Sequence, residues 1–233
     1  MYGSSMQASF MPQLRCRMSG HFDLPVYHCR RATQRIVIDG DTRKPVWQAM
    51  TQLALTLAQG NGAPRQKTTV RGCWDDAALY LAFECEDVDI RATMTQRDGL
   101  VWQEEVVEAF IAPYGDLVHY FEFQCNPLNT VNDVRVTNPN ARGVSVAFDR
   151  AWTCGGWQTA TRKMLQGWAS EWAIPLAALL ERGAEPVMPG EEWRVNLFRI
   201  DRSPVEEYSA WSPNPQSPIW FHRSQFFGRW IFK

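Results

Sequence analysis

Two acids and an amide are the side chains best placed to grip a polar ligand. In Val106-Val107-Glu108-Ala109-Phe110-Ile111, Val107, Ala109 and Ile111 share one face; Val106, Glu108 and Phe110 share the other. In HYFEFQCNP (119–127), Phe121, Phe123 and Cys125 alternate with Tyr120, Glu122, Gln124 and Asn126. Pro113-Tyr114-Gly115-Asp116 reads as the turn between the two segments. Antiparallel pairing then sets Glu108 beside Glu122 and Gln124 on one sheet face. The alternation by itself fits either a solvated face or a binding surface, and the solvated face is the simpler reading. Glu108 reads as a site residue rather than core, because a buried carboxylate without a partner is costly.

Other chemistries find less support. Glu104-Glu105 and Asp75-Asp76 are acidic pairs. A glycosidase needs two carboxylates facing across a cleft, roughly 5–9.5 Å apart. Neighbours on a strand point to opposite faces, so neither pair supplies that geometry. Four scattered His (21, 28, 119, 222) and six Cys without a C-x-x-C pair disfavour zinc. Cys85 and Cys125 fall on apolar strand faces, as buried free thiols do, and reduced cysteines are expected. Glycine-rich nucleotide loops, H-E-x-x-H and G-x-S-x-G are absent from the sequence. Enzymatic activity is therefore not expected. Glu84-Cys85-Glu86-Asp87-Val88-Asp89 offers oxygen ligands for calcium, but without regular calcium-loop spacing. A solvated strand end is favoured there, and calcium stays a candidate structural ion.

The scaffold that must position these groups is a β fold. The chain has 233 residues, of which 45% are hydrophobic and 21% charged, an ordinary globular balance. With 24 basic and 25 acidic side chains it has no global basic footprint for nucleic acid. No run of 18 apolar residues is present, so no membrane-spanning helix is expected. Eleven Trp, twelve Phe and six Tyr suit strands and ligand stacking. RIVIDG (35–40) reads as a short strand, and Pro45 to Ala49 as a helical turn or loop anchored by Trp47. Lys67 to Trp74, LYLAFECED (79–87), the two segments above, Gly156 to Lys163, Gly167 to Ile174, Trp193 to Asp201 and Gly228 to Phe232 read as strands. PLAALLERG (175–183) is the one predicted helix, with Pro at its start and Gly after its end. Residues 202–227 read as a long loop rich in Ser, Pro and aromatics. Together these predict an all-β antiparallel sandwich or jelly roll with one short helix. One domain over 33–233 follows a loosely ordered lead-in over 1–32. Trp47, Trp74, Trp168, Trp172 and Trp193 are expected in the core, and Arg199 is expected to pair with an acid such as Glu171.

The ordered series of IDG before Trp47, Trp74-Asp75 with LYLAFECED, W-x-x-E-x-V-E (102–108), GWASEWAIP, WRVNLFRID and FHRSQFFG resembles the family 9 carbohydrate-binding modules. The resemblance spans about residues 36 to 232. It implies a β-sandwich that holds a sugar or glycan end between two Trp rings. Polar groups of one sheet face hold its hydroxyls, and structural calcium is common. Trp102 matches the first clamp aromatic and Glu108 the acid that accepts from sugar hydroxyls. The chain departs from the family elsewhere. Gln124 stands where the family has a sugar-contacting Arg, Phe198 where it has a Gln, and Phe221 where it has the second Trp, with Trp220 one place away. Asn196 could reach the site from the same strand as Phe198. The expected ligand set is thus Trp102, Glu108, Gln124, Asn196, Phe198, Trp220 and Phe221.

A non-catalytic module binding carbohydrate is the leading reading, with a glycoside hydrolase acting on the same glycan as a candidate partner. Neither nucleic acid nor membrane is expected as a partner. The alternatives are a haem-binding electron-transfer module of the related DOMON type, using Met94, Met164, Met188 or His119, or a degenerate module that only contacts other proteins. The first twenty residues hold no continuous apolar stretch and do not read as a secretory signal. That places the chain in the cytoplasm if Met1 is the true start.

Overall fold

The computed structural model describes residues 23–180 and 186–233. Alternating apolar residues build two facing sheets around one core. Ten strands dominate: β1 (Val26–Arg31), β4 (Thr68–Trp74), β5 (Ala78–Glu86), β6 (Val106–Ala112), β7 (His119–Cys125), β8 (Val131–Thr137), β10 (Gln158–Met164), β11 (Gly167–Pro175), β12 (Glu192–Asp201) and β14 (Gly228–Phe232). Shorter strands are β2 (Gln52–Ala54), β3 (Thr56–Leu57), β9 (Ala147–Asp149) and β13 (Glu207–Ala210). Strand order is β10-β11-β5-β4-β1-β14-β12-β6-β7-β8-β9. Nearly every pairing is antiparallel. The exceptions involve β1, whose residues 26–29 run parallel to β14 and whose residues 30–31 run parallel to β4. This strand passes from one sheet to the other and joins them at a corner.

The core lies between the sheets. Leu79, Leu81, Phe83 and Cys85 of β5 meet Val107, Ala109 and Ile111 of β6 and Phe123 and Cys125 of β7 in one buried cluster. Trp74, Trp168, Trp172, Trp193 and Trp230 complete it. Full burial of one such ring stabilises the fold by roughly 2–3 kcal/mol. Gly72 makes room for one of them: a Cβ there would collide with the ring carbons of Trp230. Trp230→Ala would remove that filling and cost roughly 3–5 kcal/mol.

The strand alternation is borne out from β4 to β7, and four details are corrected. Residues 35–40 are not a strand. The backbone N–H groups of Asp39 and Gly40 donate to the Glu171 carboxylate at 2.9 and 3.0 Å instead of to a ladder. Ile36 packs with Trp47 and Tyr80 outside the main core. Residues 26–31, assigned to the lead-in, are the seam strand β1, so the folded unit begins before residue 33; residues 1–22 lie outside the described residues. The predicted loop 202–227 contains β13, which pairs with both β12 and β3. The helix is a single turn, Leu176–Leu179, and residues 181–183 of the prediction lie outside the described residues. Pro45–Gln48 is the expected helical turn around the buried Trp47.

Arg199 does not meet Glu171. It sits fully buried between Asp87 and Asp201, at 3.0 and 3.3 Å. Glu171, equally buried, accepts from Lys44 Nζ and from Trp47 Nε1, both at 2.7 Å. Arg199 of β12 thus reaches across to the end of β5 in the other sheet, while Glu171 of β11 is balanced by Lys44, and each buried charge has its own counter-charge. The described cysteines, at 29, 73, 85, 125 and 154, are all buried and unpaired with one another. Burial raises their thiols, those of Cys85 and Cys125 to about 12, so they stay protonated.

Candidate functional site

The outer face of the second sheet carries an unusual mixture. Val106, Glu108, Phe110 and Ala112 of β6 point away from the core, as do Tyr120, Glu122 and Gln124 of β7. Register places Glu108 opposite Gln124 on one side and Phe198 on the other. This face is not solvated: Glu108, Glu122 and Gln124 are only 2%, 6% and 2% exposed. The chain after β13 folds back across the sheet, and the short 3-10 turn Val101–Gln103 stands at its edge.

Between these covers and the sheet lies a cavity of about 380 Å³. Glu108, Phe110, Glu122, Gln124 and Ile200 line it from the sheet. Trp102, Phe148, Arg150, Arg202, Tyr208 and the run Ile219-Trp220-Phe221-His222 line it from the edges and loops. Its size and its largely apolar and aromatic lining with a few converging polar groups are those of a small-molecule site.

Each loop residue is held. Trp220 Nε1 donates to the carbonyl of Gly143 at 3.1 Å. The indole rests where a Cβ on Gly143 would come within 2.5 Å, and Gly143 has a φ of 75° that favours glycine. Arg202 Nη2 donates to the Trp102 carbonyl at 2.8 Å, and its Nη1 donates to the Tyr208 hydroxyl at 2.9 Å and pairs with Glu206. The Arg150 guanidinium lies 5.1 Å from the Trp102 ring centroid and 5.3 Å from that of Phe148. Phe221 stacks flat on Phe198, centroids 4.1 Å apart at 12°.

The polar floor is a hydrogen-bonded chain. Asn132 Nδ2 donates to Gln124 Oε1 at 2.7 Å. Gln124 Nε2 donates to Glu122 Oε1 at 2.7 Å and to Glu108 Oε1 at 3.0 Å. The amide of Gln124 is thereby used up in holding the two carboxyls side by side. Glu122 Oε2 is buried without a partner. Burial, and secondarily the neighbouring Glu122, hold the Glu108 carboxyl well above the usual carboxylate range. Burial pushes Glu122 up to about 8, against the pull of Arg150. Near neutral pH the pair therefore keeps protons and offers O–H donors as well as acceptors. Burial, and then Arg150, hold His222 down to about 3, so its ring is neutral. Its Nδ1 meets the Tyr120 hydroxyl at 2.8 Å, and its 3.9 Å approach to Glu122 is not an ion pair.

Five of the seven predicted ligand residues meet in this cavity: Trp102, Glu108, Gln124, Trp220 and Phe221. Phe198 and Asn196 do not line it. They border a much smaller void behind Phe221. Asn196 is a strut: its Nδ2 donates to the Ser212 carbonyl, and its Oδ1 accepts from Ser212 N and Leu197 N. Sequence reasoning missed Phe148, Arg150, Arg202, Tyr208 and His222 as lining residues. Of these, only His222 lay within a quoted motif, FHRSQFFG.

Calcium does not fit the loop proposed for it. Asp87 is paired with Arg199, Glu84 with Arg71, and Asp89 with Arg91 and Ser203. Among the described residues no three His, Cys, Asp or Glu side chains are grouped to hold a metal. Glu105 nearby has both oxygens buried without a hydrogen bond, and burial followed by Asp87 pushes it up to about 8, so it is protonated rather than an anionic ligand. The candidate haem ligands are also dispersed. Met94 packs beside Val101 and Val106, and Met164 borders a groove at the end of β10. His119 is exposed and bonded to Asp116, and Met188 is exposed in a separate turn.

Comparison with known proteins agrees with this architecture. An "Extracellular protein" of Arthroderma benhamiae is 30% identical over 202 residues, covering 80% of this chain and 86% of that protein. A candidate carbohydrate-binding protein of Bacteroides uniformis shares the fold with a TM-score of 0.72 at 17% identity, over 90% of this chain and 98% of that one. A family 9 carbohydrate-binding module of Caldicellulosiruptor kristjanssonii in complex with cellotriose superposes with a TM-score of 0.65 at 16% identity, over 90% and 94%. The model of carbohydrate-binding family 9 matches residues 46–232. The chain belongs to carbohydrate-binding family 9, a family of non-catalytic carbohydrate-binding β-sandwich modules.

Proposed function

We propose that the cavity on the outer sheet face is the sugar site of this module. The carrying observation is the Glu108–Gln124–Glu122 chain set beneath the half-buried Trp102 and the exposed Trp220. Sugars present apolar C–H faces and rings of hydroxyls, each both donor and acceptor. Trp102 and Trp220 offer flat apolar surface to the faces. The two protonated carboxyls, each able to donate and accept, suit the hydroxyls. Gln124 orients them and does not itself reach the ligand, because both of its amide protons are taken. Phe221, stacked on Phe198, backs the cavity instead of closing a clamp on its own. Complexes of the Caldicellulosiruptor kristjanssonii modules with cellotriose and with glucose support a gluco-configured ligand of one to three rings. A glycoside hydrolase acting on the same glycan is a fitting functional partner.

The test is a nitrogen-edited proton NMR titration of the Trp side chains with glucose and cellobiose. The indole N–H signals of Trp102 and Trp220 move on saturation, while those of the buried Trp193 and Trp230 stay. Movement confined to other indoles, or none at millimolar sugar, would place the ligand elsewhere or remove it.

A further inference from the structure

The cavity contains a cation that the protein does not neutralise. Arg150 follows β9 and reaches over Trp102 and Phe148. It makes no hydrogen bond or ion pair through its guanidinium among the described residues. The acid beside it in sequence, Asp149, is committed to Arg135 at 2.8 Å. Arg202, the other cation of the cavity, is already balanced by Glu206. Beneath Arg150, Glu122 is beyond ion-pair range and keeps its proton near neutrality, so it leaves the positive charge open. The remaining lining is aromatic or neutral. A guanidinium presents a planar fork of N–H donors matched to a carboxylate, and the ring face beneath it leaves the fork's edge free.

We propose that the preferred ligand of this cavity is a saccharide bearing a carboxylate, a uronic or aldonic acid, whose acid group is held by Arg150 while the ring lies over the Glu108–Glu122 pair. This rests on the reading of the cavity as the sugar site and narrows the class of sugar. A neutral sugar meets the same floor and aromatic walls but leaves Arg150 unpaired. An acidic sugar adds one charge-assisted contact, expected to give about tenfold tighter binding.

The experiment is calorimetric titration of the full chain with glucose, glucuronate and the methyl ester of glucuronic acid, and with cellobiose and cellobionate. The ester keeps the shape of glucuronate and removes its charge. Glucuronate or cellobionate should bind about tenfold tighter than its neutral counterpart. Which of the two acids shows the gain separates a uronate from an aldonate ligand. Arg150→Gln should erase that difference, and 0.5 M salt should narrow it. Arg150 is solvent-exposed, so the variant should keep the melting temperature of the parent. Equal affinity for acids and neutral sugars would overturn the inference and leave the sugar site standing. Failure of every sugar to bind would overturn both.

Discussion

Glu122→Gln should stabilise the protein, and more so as pH rises. The wild-type carboxyl is 6% exposed, has one oxygen without a partner, and is pushed up to about 8 by burial. In the unfolded chain it titrates near 4.5. The native state thus holds the proton more tightly than the unfolded state. The stability from that proton is fully present below pH 4.5 and is lost as pH rises towards 8. Each pH unit in that window removes roughly 1.4 kcal/mol, so the full loss has an upper bound of about 5 kcal/mol. Access of water to the cavity reduces this, and about 2 kcal/mol is expected. Gln keeps the shape and the acceptor for Gln124 Nε2 but does not titrate. Chemical unfolding of wild type and variant at pH 5 and pH 8 measures the effect. Glu105, also pushed up to about 8, contributes equally to both proteins and cancels in the difference. The advantage of Glu122→Gln should be about 2 kcal/mol larger at pH 8, or about 4–8 °C in melting temperature. The same advantage at both pH values would refute the claim that Glu122 is a protonated buried acid.

Other outcomes follow from the same structure. Gln124→Leu leaves both carboxyls and Asn132 Nδ2 without their partner. It should cost roughly 2–4 kcal/mol in urea unfolding and abolish sugar binding through lost positioning. Glu171→Gln removes the buried counter-charge of Lys44 and weakens the acceptor of Trp47 and of the 39–40 backbone. Thermal unfolding should show a loss of roughly 3 kcal/mol with sugar affinity unchanged, because Glu171 lies in the other sheet. Chelation with EDTA should leave the melting temperature where it was, since Arg199 rather than a metal balances Asp87 and Asp201; a clear drop would contradict that assignment.

The parts of the site built on strands were legible from spacing, whereas loop residues were legible only where the family resemblance named them, as at Trp102, Trp220 and Phe221. A period of two along β6 and β7 is a direct consequence of the pleat, so the meeting of Glu108, Glu122 and Gln124 could be read from spacing. Their burial could not, because it comes from residues 219–222 folding back over the sheet. Nothing in the spacing of those residues announces where the chain returns. Arg150 and Arg202 follow strand ends and have no periodic neighbours to give their direction. The error at 35–40 has a clear origin. RIVIDG has the composition of a strand, but a strand also needs a partner edge, and Glu171 in the opposite stretch of sequence takes its N–H groups. The seam strand β1 was missed for the converse reason. Its buried residues, Tyr27 and Cys29, alternate with His28 and Arg30, so only two apolar positions signal a strand that joins both sheets. Asn196 and Phe198 were placed on the correct sheet face, but the flat contact of Phe198 with Phe221 separates them from the cavity.

The central claim is that Trp102 and the carboxyl pair form a sugar site. Calorimetric titration of wild type and Trp102→Ala with cellobiose tests it most directly. Trp102 is only half-buried and its backbone carbonyl, which braces Arg202, survives the substitution, so the variant should fold. Saturable binding in wild type that weakens by tenfold or more in Trp102→Ala, about 1.4 kcal/mol or more, is the expected result. Cellobiose binding of equal strength in both proteins would contradict the site, whatever its affinity.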